Sequence, residues 1–172
     1  SQLRKNTNLD KKNTNIFCDI GTGYGLLPCI LKKEFVSSKF ILVDLPELNI
    51  LSYYFLKRFF PKNKICLSHE IENKELINKE LINQYDFIIL EQEDLKKLDD
   101  KIVDCTINTA SLGEMSKIDQ KYYINQIDRI TKQYFYSINR HRSDNVHFSE
   151  TNGYYDFELN DESWLIKLYK FS

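Results

Sequence analysis

The sequence predicts a single doubly wound α/β domain, on three observations. Apolar strand-like runs alternate with helical patterns, a glycine-rich turn "DIGTGYG" follows the first run, and the last twenty or so positions turn to strand formers with no helix between them. A length of 172 residues suits one such domain and is short for two.

The elements can be justified in order. Ile16 to Ile20 is the first strand. The helix after it carries Leu27, Ile30, Leu31 and Phe35 on one face, and Pro28 falls in its first turn, where a missing N–H costs little. "KFILVD" is the second strand; Pro46 and Glu47 open the helix "PELNILSYYFLKRFF", and Pro61 closes it. "KICLS" is at most a short extended piece. The duplicated pentapeptide in "NKELINKELIN", positions 73 to 83, could place Leu76, Ile77, Leu81 and Ile82 on one helical stripe.

"YDFIIL" at 85 to 90 is the third clear strand and "KIVDCTIN" at 101 to 108 the fourth. Ser116 and Asp119 make a capping-box-like start for a helix with Tyr123, Ile127 and Ile130 on one face. "YFYSIN" at 134 to 139 is the fifth strand, and "GYYDFEL" with "SWLIKLYKF" reads as an antiparallel pair closing the sheet edge.

Composition narrows the function. A net charge of −1 with interspersed Lys and Glu leaves no basic stripe to follow a phosphate backbone, so nucleic acid is not expected as a partner. Cys18, Cys29, Cys66 and Cys105 are widely spaced and lie mostly in apolar runs, as buried reduced thiols of a cytoplasmic protein would. No run is long enough to span a membrane and no signal-peptide core precedes Ile16. Because the chain opens on Ser rather than Met, residues 1–15 are expected to be a polar segment at a truncation point, with the domain proper at 16–172.

The chemistry-bearing motifs sit where strands end. Gly21, Gly23 and Gly25 lie between the first strand and its helix, where glycine permits a tight turn and a close approach of ligand to backbone and helix N-terminus. Leu26 stands where the dinucleotide fingerprint would need glycine, which weakens a nicotinamide-dependent oxidoreductase. Asp44 ends the second strand, where a carboxylate can accept from both hydroxyls of a ribose. An ordinary strand-to-helix turn plus a surface Asp is the plainer alternative; loop, helix and distal acid together favour a nucleoside site.

These residues resemble the class I S-adenosylmethionine-dependent methyltransferases. "DIGTGYG", "LVDLPE", "INTASLGEM" and "YFYSINR", in this order, further resemble the sugar O-methyltransferases found with bacterial surface-polysaccharide loci. The resemblance implies a Rossmann-like sheet of seven strands in the order 3-2-1-4-5-7-6, with the seventh antiparallel. It implies S-adenosylmethionine as cofactor, with Asp19, Gly21, Gly23 and Gly25 along its methionyl end, Asp44 at the ribose, and Gln92 and Glu93 beside adenine. Members of that family carry more sequence before the glycine motif, so a lid or acceptor surface is expected to lie outside this sequence.

Methyl transfer needs an acceptor oxygen aligned behind the methyl group and a base to take its proton. Candidates belong at the carboxyl ends of the fourth and fifth strands. Glu114 is one base candidate, with Asn108, Thr109 and Ser111 positioning cofactor or acceptor and Gly113 allowing close approach. The alternative is a loop that satisfies its own backbone, with Glu114 favouring the positive end of the next helix and Met115 plugging the core. His141 is a second base candidate, and Arg140 and Arg142 could bind an acidic sugar or a nucleotide-sugar phosphate.

His69 and His147 read as surface residues, and no His and carboxylate cluster has metal-ligand spacing. Tyr24 or Tyr136, if exposed, could stack on a sugar. The expectation is therefore a sugar O-methyltransferase with a small-molecule or glycan acceptor. A non-catalytic scaffold domain of a larger polysaccharide-assembly protein is the competing reading.

Overall fold

The computed structural model describes residues 7–71 and 76–138. They form β1 (Ile16–Ile20), α1 (Leu26–Glu34), β2 (Lys39–Val43), α2 (Pro46–Phe59), β3 (Ile65–Leu67), α3 (Lys79–Gln84), β4 (Phe87–Leu90), β5 (Val103–Thr109), α4 (Lys117–Ile130) and β6 (Thr131–Ile138). Short 3₁₀ turns cover Ser68–Glu70, Gln92–Lys97 and Leu112–Glu114.

One parallel sheet runs β3-β4-β2-β1-β5-β6. Its inner strands are buried on both faces, the condition under which parallel strands read as continuous apolar runs rather than alternating ones. On one face Ile16, Cys18, Ile20, Val43 and Leu90 pack against Ile82 of α3 and Tyr123, Ile124, Ile127 and Ile130 of α4. On the other, Phe17, Leu42, Ile89 and Ile107 meet Cys29 and Leu31 of α1, Leu56 of α2, and Leu9.

Register explains the strongest packing. Phe17 lies beside Phe40, and Phe40 beside Phe87, so three rings form a row across β1, β2 and β4, with centroids 5.0 and 5.8 Å apart. The buried Lys32 ammonium sits over this row, 5.9 Å from the Phe40 ring and 5.6 Å from Phe87, and donates to the Ser38 carbonyl (2.7 Å) and Asp86 (3.0 Å). A buried cation with both partners in place is tolerated, whereas removing Asp86 would strand it.

The sheet departs from expectation in its edges. Where seven strands with an antiparallel seventh were expected, the described residues make six, all parallel. One of the six is β3, only a possible extended piece from sequence, which pairs with β4 at the outer edge. The tail read as an antiparallel pair lies outside the described residues.

Two helix expectations also change. The duplicated pentapeptide does not make one stripe: Ile77 forms a parallel bridge with Leu98, Leu76 is exposed, and α3 begins only with the second copy. Asn78 dictates that start, because its side chain accepts from Leu81 N–H at 2.9 Å. Ile30, expected on the buried face of α1, is exposed; Cys29 and Lys32 turn inward instead. Start and stop signals fared better, with Pro46 at the head of α2 and Ser116 accepting from the Asp119 amide at 3.2 Å to cap α4. All four cysteines are buried free thiols. No described helix is long and apolar enough to cross a membrane.

Candidate active site

The loops that leave the carboxyl ends of β1, β2, β4 and β5 surround a cavity of about 440 Å³. That volume lies in the range of about 300–1,000 Å³ that small-molecule and cofactor sites occupy.

The first loop is shaped by glycine. Gly21 has φ +72°, and a Cβ there would lie 2.1 Å from Ser111 Oγ, so glycine is required by both conformation and space. Gly23 has φ +59° with nothing within 4 Å of its missing Cβ, which leaves open space above its backbone. The loop is tied across the cavity. Gly23 N–H donates to Asp44 Oδ2 at 2.7 Å, and Leu45 N–H donates to Asp44 Oδ1 at 2.8 Å. An ionised carboxylate offers about four acceptor sites, so two remain on Asp44 for a ligand.

Asp19 lies behind the loop and not in the cavity lining. It is 3% exposed; Oδ2 accepts from the Thr22 hydroxyl at 2.9 Å, while Oδ1 is buried without a partner. Burial pushes its carboxyl up to about 7 against the pull of the Thr22 hydroxyl, and the Asp44 charge adds to the rise.

The end of β5 and the segment after it form the opposite wall. Asn108, expected to touch cofactor, is fully buried and works as a clamp: its amide nitrogen donates to the Ile20 carbonyl (2.9 Å) and to Ser111 Oγ, and its oxygen accepts from Leu112 N–H at 3.3 Å. Thr109, Ser111, Glu114 and Met115 do line the cavity, with Glu114 exposed at its mouth. The left-handed residue of this segment is Ala110, at φ +61°, rather than Gly113. Its N–H donates to the Ile138 carbonyl at 2.8 Å, which holds a conformation that side chains disfavour by roughly 1–2 kcal/mol.

Gln92 lines the cavity after β4, whereas Glu93 is exposed and outside the lining. Tyr24 is exposed but packs against Phe55 at 5.3 Å, and Tyr136 packs against the core; neither reaches the cavity. His69 is exposed in a turn. Arg140, His141, Arg142 and His147 lie outside the described residues, and no described group of three or more His, Cys, Asp or Glu side chains could hold a metal ion.

Leu45, Leu48 and Ala110 also line the cavity without having been singled out, and two polar side chains of its wall escaped the sequence reading as ligand contacts, Asp119 and Tyr123, both on α4. Spaced four apart, they share a face one turn above the other. Tyr123 was visible only as a member of the buried stripe; a tyrosine in an otherwise aliphatic stripe was the available signal, because its hydroxyl needs a polar neighbour.

No family model matches the chain, and no curated protein matches it. Among solved structures it is similar to a protein described as a sarcosine dimethylglycine methyltransferase from Galdieria sulphuraria, at 13% identity and a TM-score of 0.47, covering 70% of this chain and 36% of that one. It is also similar to PigF with SAH, at 15% identity and a TM-score of 0.48, covering 76% of this chain and 37% of that one. The chain therefore spans little more than a third of the length of either. Both TM-scores are below 0.5, and the functional reading rests on the cavity and the motifs that build it.

Proposed function

We propose that this chain is an S-adenosylmethionine-dependent methyltransferase whose acceptor is a sugar hydroxyl of a bacterial surface polysaccharide or of its nucleotide-sugar precursor. One observation carries the nucleoside half of this reading: a glycine loop open above Gly23 faces a carboxylate, Asp44, that keeps two acceptor sites towards the same cavity. The four sequence motifs support methyl transfer, and the same resemblance alone supports the sugar.

The residues fit the cofactor. Asp44 would take the ribose hydroxyls, the backbone at Gly21 and Gly23 would pass under the methionyl part, and half-buried Gln92 would stand at the base. The bound cofactor supplies an electrophilic methyl group on a sulfonium. Against it, Thr109 and Ser111 would orient the acceptor, and Glu114, at the mouth, would receive the hydroxyl proton and release it to solvent.

Calorimetry with S-adenosylhomocysteine tests the site. Wild-type protein should bind, and Asp44→Ala should weaken binding at least about tenfold, as expected for a charged hydrogen-bonding partner lost from a pocket. Equal affinity in the variant removes Asp44 from the site. A separate experiment addresses the base. Glu114→Gln should lower kcat by about a hundredfold or more and leave cofactor affinity unchanged; turnover at the wild-type rate assigns the proton to another group. Cofactor binding without transfer to any glycan extract would instead favour the scaffold reading.

A further inference from the structure

One polar group in the cavity wall has incomplete bonding. Tyr123 is 5% exposed and packed in the core, yet it contributes to the cavity lining. Its hydroxyl makes no hydrogen bond with any described residue, and it is not one of the fully buried unpartnered side-chain atoms, which are Asp19 Oδ1 and Asn49 Oδ1, so its partner is left to whatever occupies the cavity. Its neighbours are engaged. The Tyr122 hydroxyl donates to the Gln92 carbonyl at 3.1 Å, Asp119 accepts from the Ser116 hydroxyl at 2.7 Å, and Asp44 accepts from Gly23 and Leu45.

Burial, with Asp44, then Tyr122 and Asp119 adding to it, holds the Tyr123 phenol well above its ordinary range, so it remains protonated. It is therefore a donor awaiting an acceptor. Carboxylates at Asp44, Glu114 and Asp119 line the same cavity, and no Lys or Arg among the described residues does. Since Asp44 and Asp119 act directly on this phenol, a phosphate or carboxylate would be repelled at Tyr123 itself, and a neutral acceptor atom is favoured beside it. A nucleoside has such atoms on the ring nitrogens of its base, while its ribose hydroxyls serve as the donors that Asp44 requires.

We propose that the Tyr123 hydroxyl donates a hydrogen bond to a ring nitrogen of the nucleobase whose ribose Asp44 holds. This rests on the nucleoside-cofactor reading above. It makes Tyr123 a specificity-determining residue that selects for a base with a nitrogen acceptor at that position.

The test compares wild type and Tyr123→Phe in the full chain. Calorimetry is run with S-adenosylhomocysteine, adenosine, and the 1-deaza, 3-deaza and 7-deaza analogues of adenosine, and thermal unfolding without ligand is measured beside it. Tyr123→Phe should bind adenosine about tenfold more weakly. For the one deaza analogue that lacks the partner nitrogen, wild type and variant should bind alike. Without ligand the variant should melt at the same temperature or higher, because it loses a hydroxyl that had no partner, a result that a merely structural role does not give. Equal affinities for adenosine overturn the assignment while leaving the nucleoside site intact, as does a uniform loss across all the analogues. Destabilisation of the free variant overturns it too. If wild type binds none of these nucleosides, the underlying reading fails first.

Discussion

Gly21→Ala should destabilise the chain by roughly 2–4 kcal/mol and abolish cofactor binding. Two costs add. A side chain at φ +72° is strained by about 1–2 kcal/mol whatever the space, and the new methyl group would stand 2.1 Å from Ser111 Oγ and 2.3 Å from its Cβ. Ser111 is not free to withdraw, since its hydroxyl is held by Asn108 and donates to the Ile20 carbonyl at 3.2 Å. Gly23→Ala is the contrasting case. With nothing within 4 Å it should cost only the backbone strain, yet still impair binding, because its methyl group enters the cavity. Urea unfolding of both variants checks this, and Ser111→Gly in the Gly21→Ala background should recover the steric part alone. If the two alanine variants are equally stable, Gly21 and Ser111 do not meet as described.

Without ligand, the chain should lose stability as the pH rises from about 4 to about 7, and Asp19→Asn should remove that loss. The folded Asp19 carboxyl takes up its proton near pH 7; in the unfolded chain it does so near about 3.9. Between those values the folded state binds more protons, so this contribution is full below the lower value and is gone above the higher one. The gap corresponds to about 4 kcal/mol. Unfolding free energies of both proteins across this range give the answer: the advantage of Asp19→Asn should widen with rising pH and then level off. Curves that stay parallel would show that Asp19 remains an ordinary carboxylate in the fold.

Which features could be read in advance follows from the range of the forces involved. Strand and helix alternation is set by local apolar period, and caps such as Ser116 and Pro46 act within a turn, so these were legible. Ile77 was misplaced because its helical spacing was sound locally but lost to a bridge with Leu98, a contact across twenty-one positions that no periodicity reveals. The glycine loop and Asp44 were legible because each marks a strand end; Gly21, Gly23 and Asp44 line one cavity, whereas Gly25 lies outside the lining as the N-cap of α1. Asn108 was placed correctly at the end of its strand, yet its amide bonds to backbone groups and to Ser111 where a ligand was expected. An amide can face either equally well, and only the neighbouring Ile20 carbonyl and Leu112 amide decide. Tyr123 was hidden for the opposite reason, since it belongs to the core and lines the cavity at once.

The order of the strands has a consequence beyond the residues that line the cavity. From β1 the chain winds through α1 to β2 on one side, and from β5 through α4 to β6 on the other, with the two helices on opposite faces of the sheet. Neighbouring loops that depart in opposite directions leave a gap between them, at a topological switch point of the winding. The cleft is thus a property of connectivity. Substitutions on the exposed faces of α1 and α2, where Ile30, Ile50 and Tyr54 face solvent, can drift without closing it, whereas a change in how the loop after β5 is anchored to the end of β1 alters its width directly.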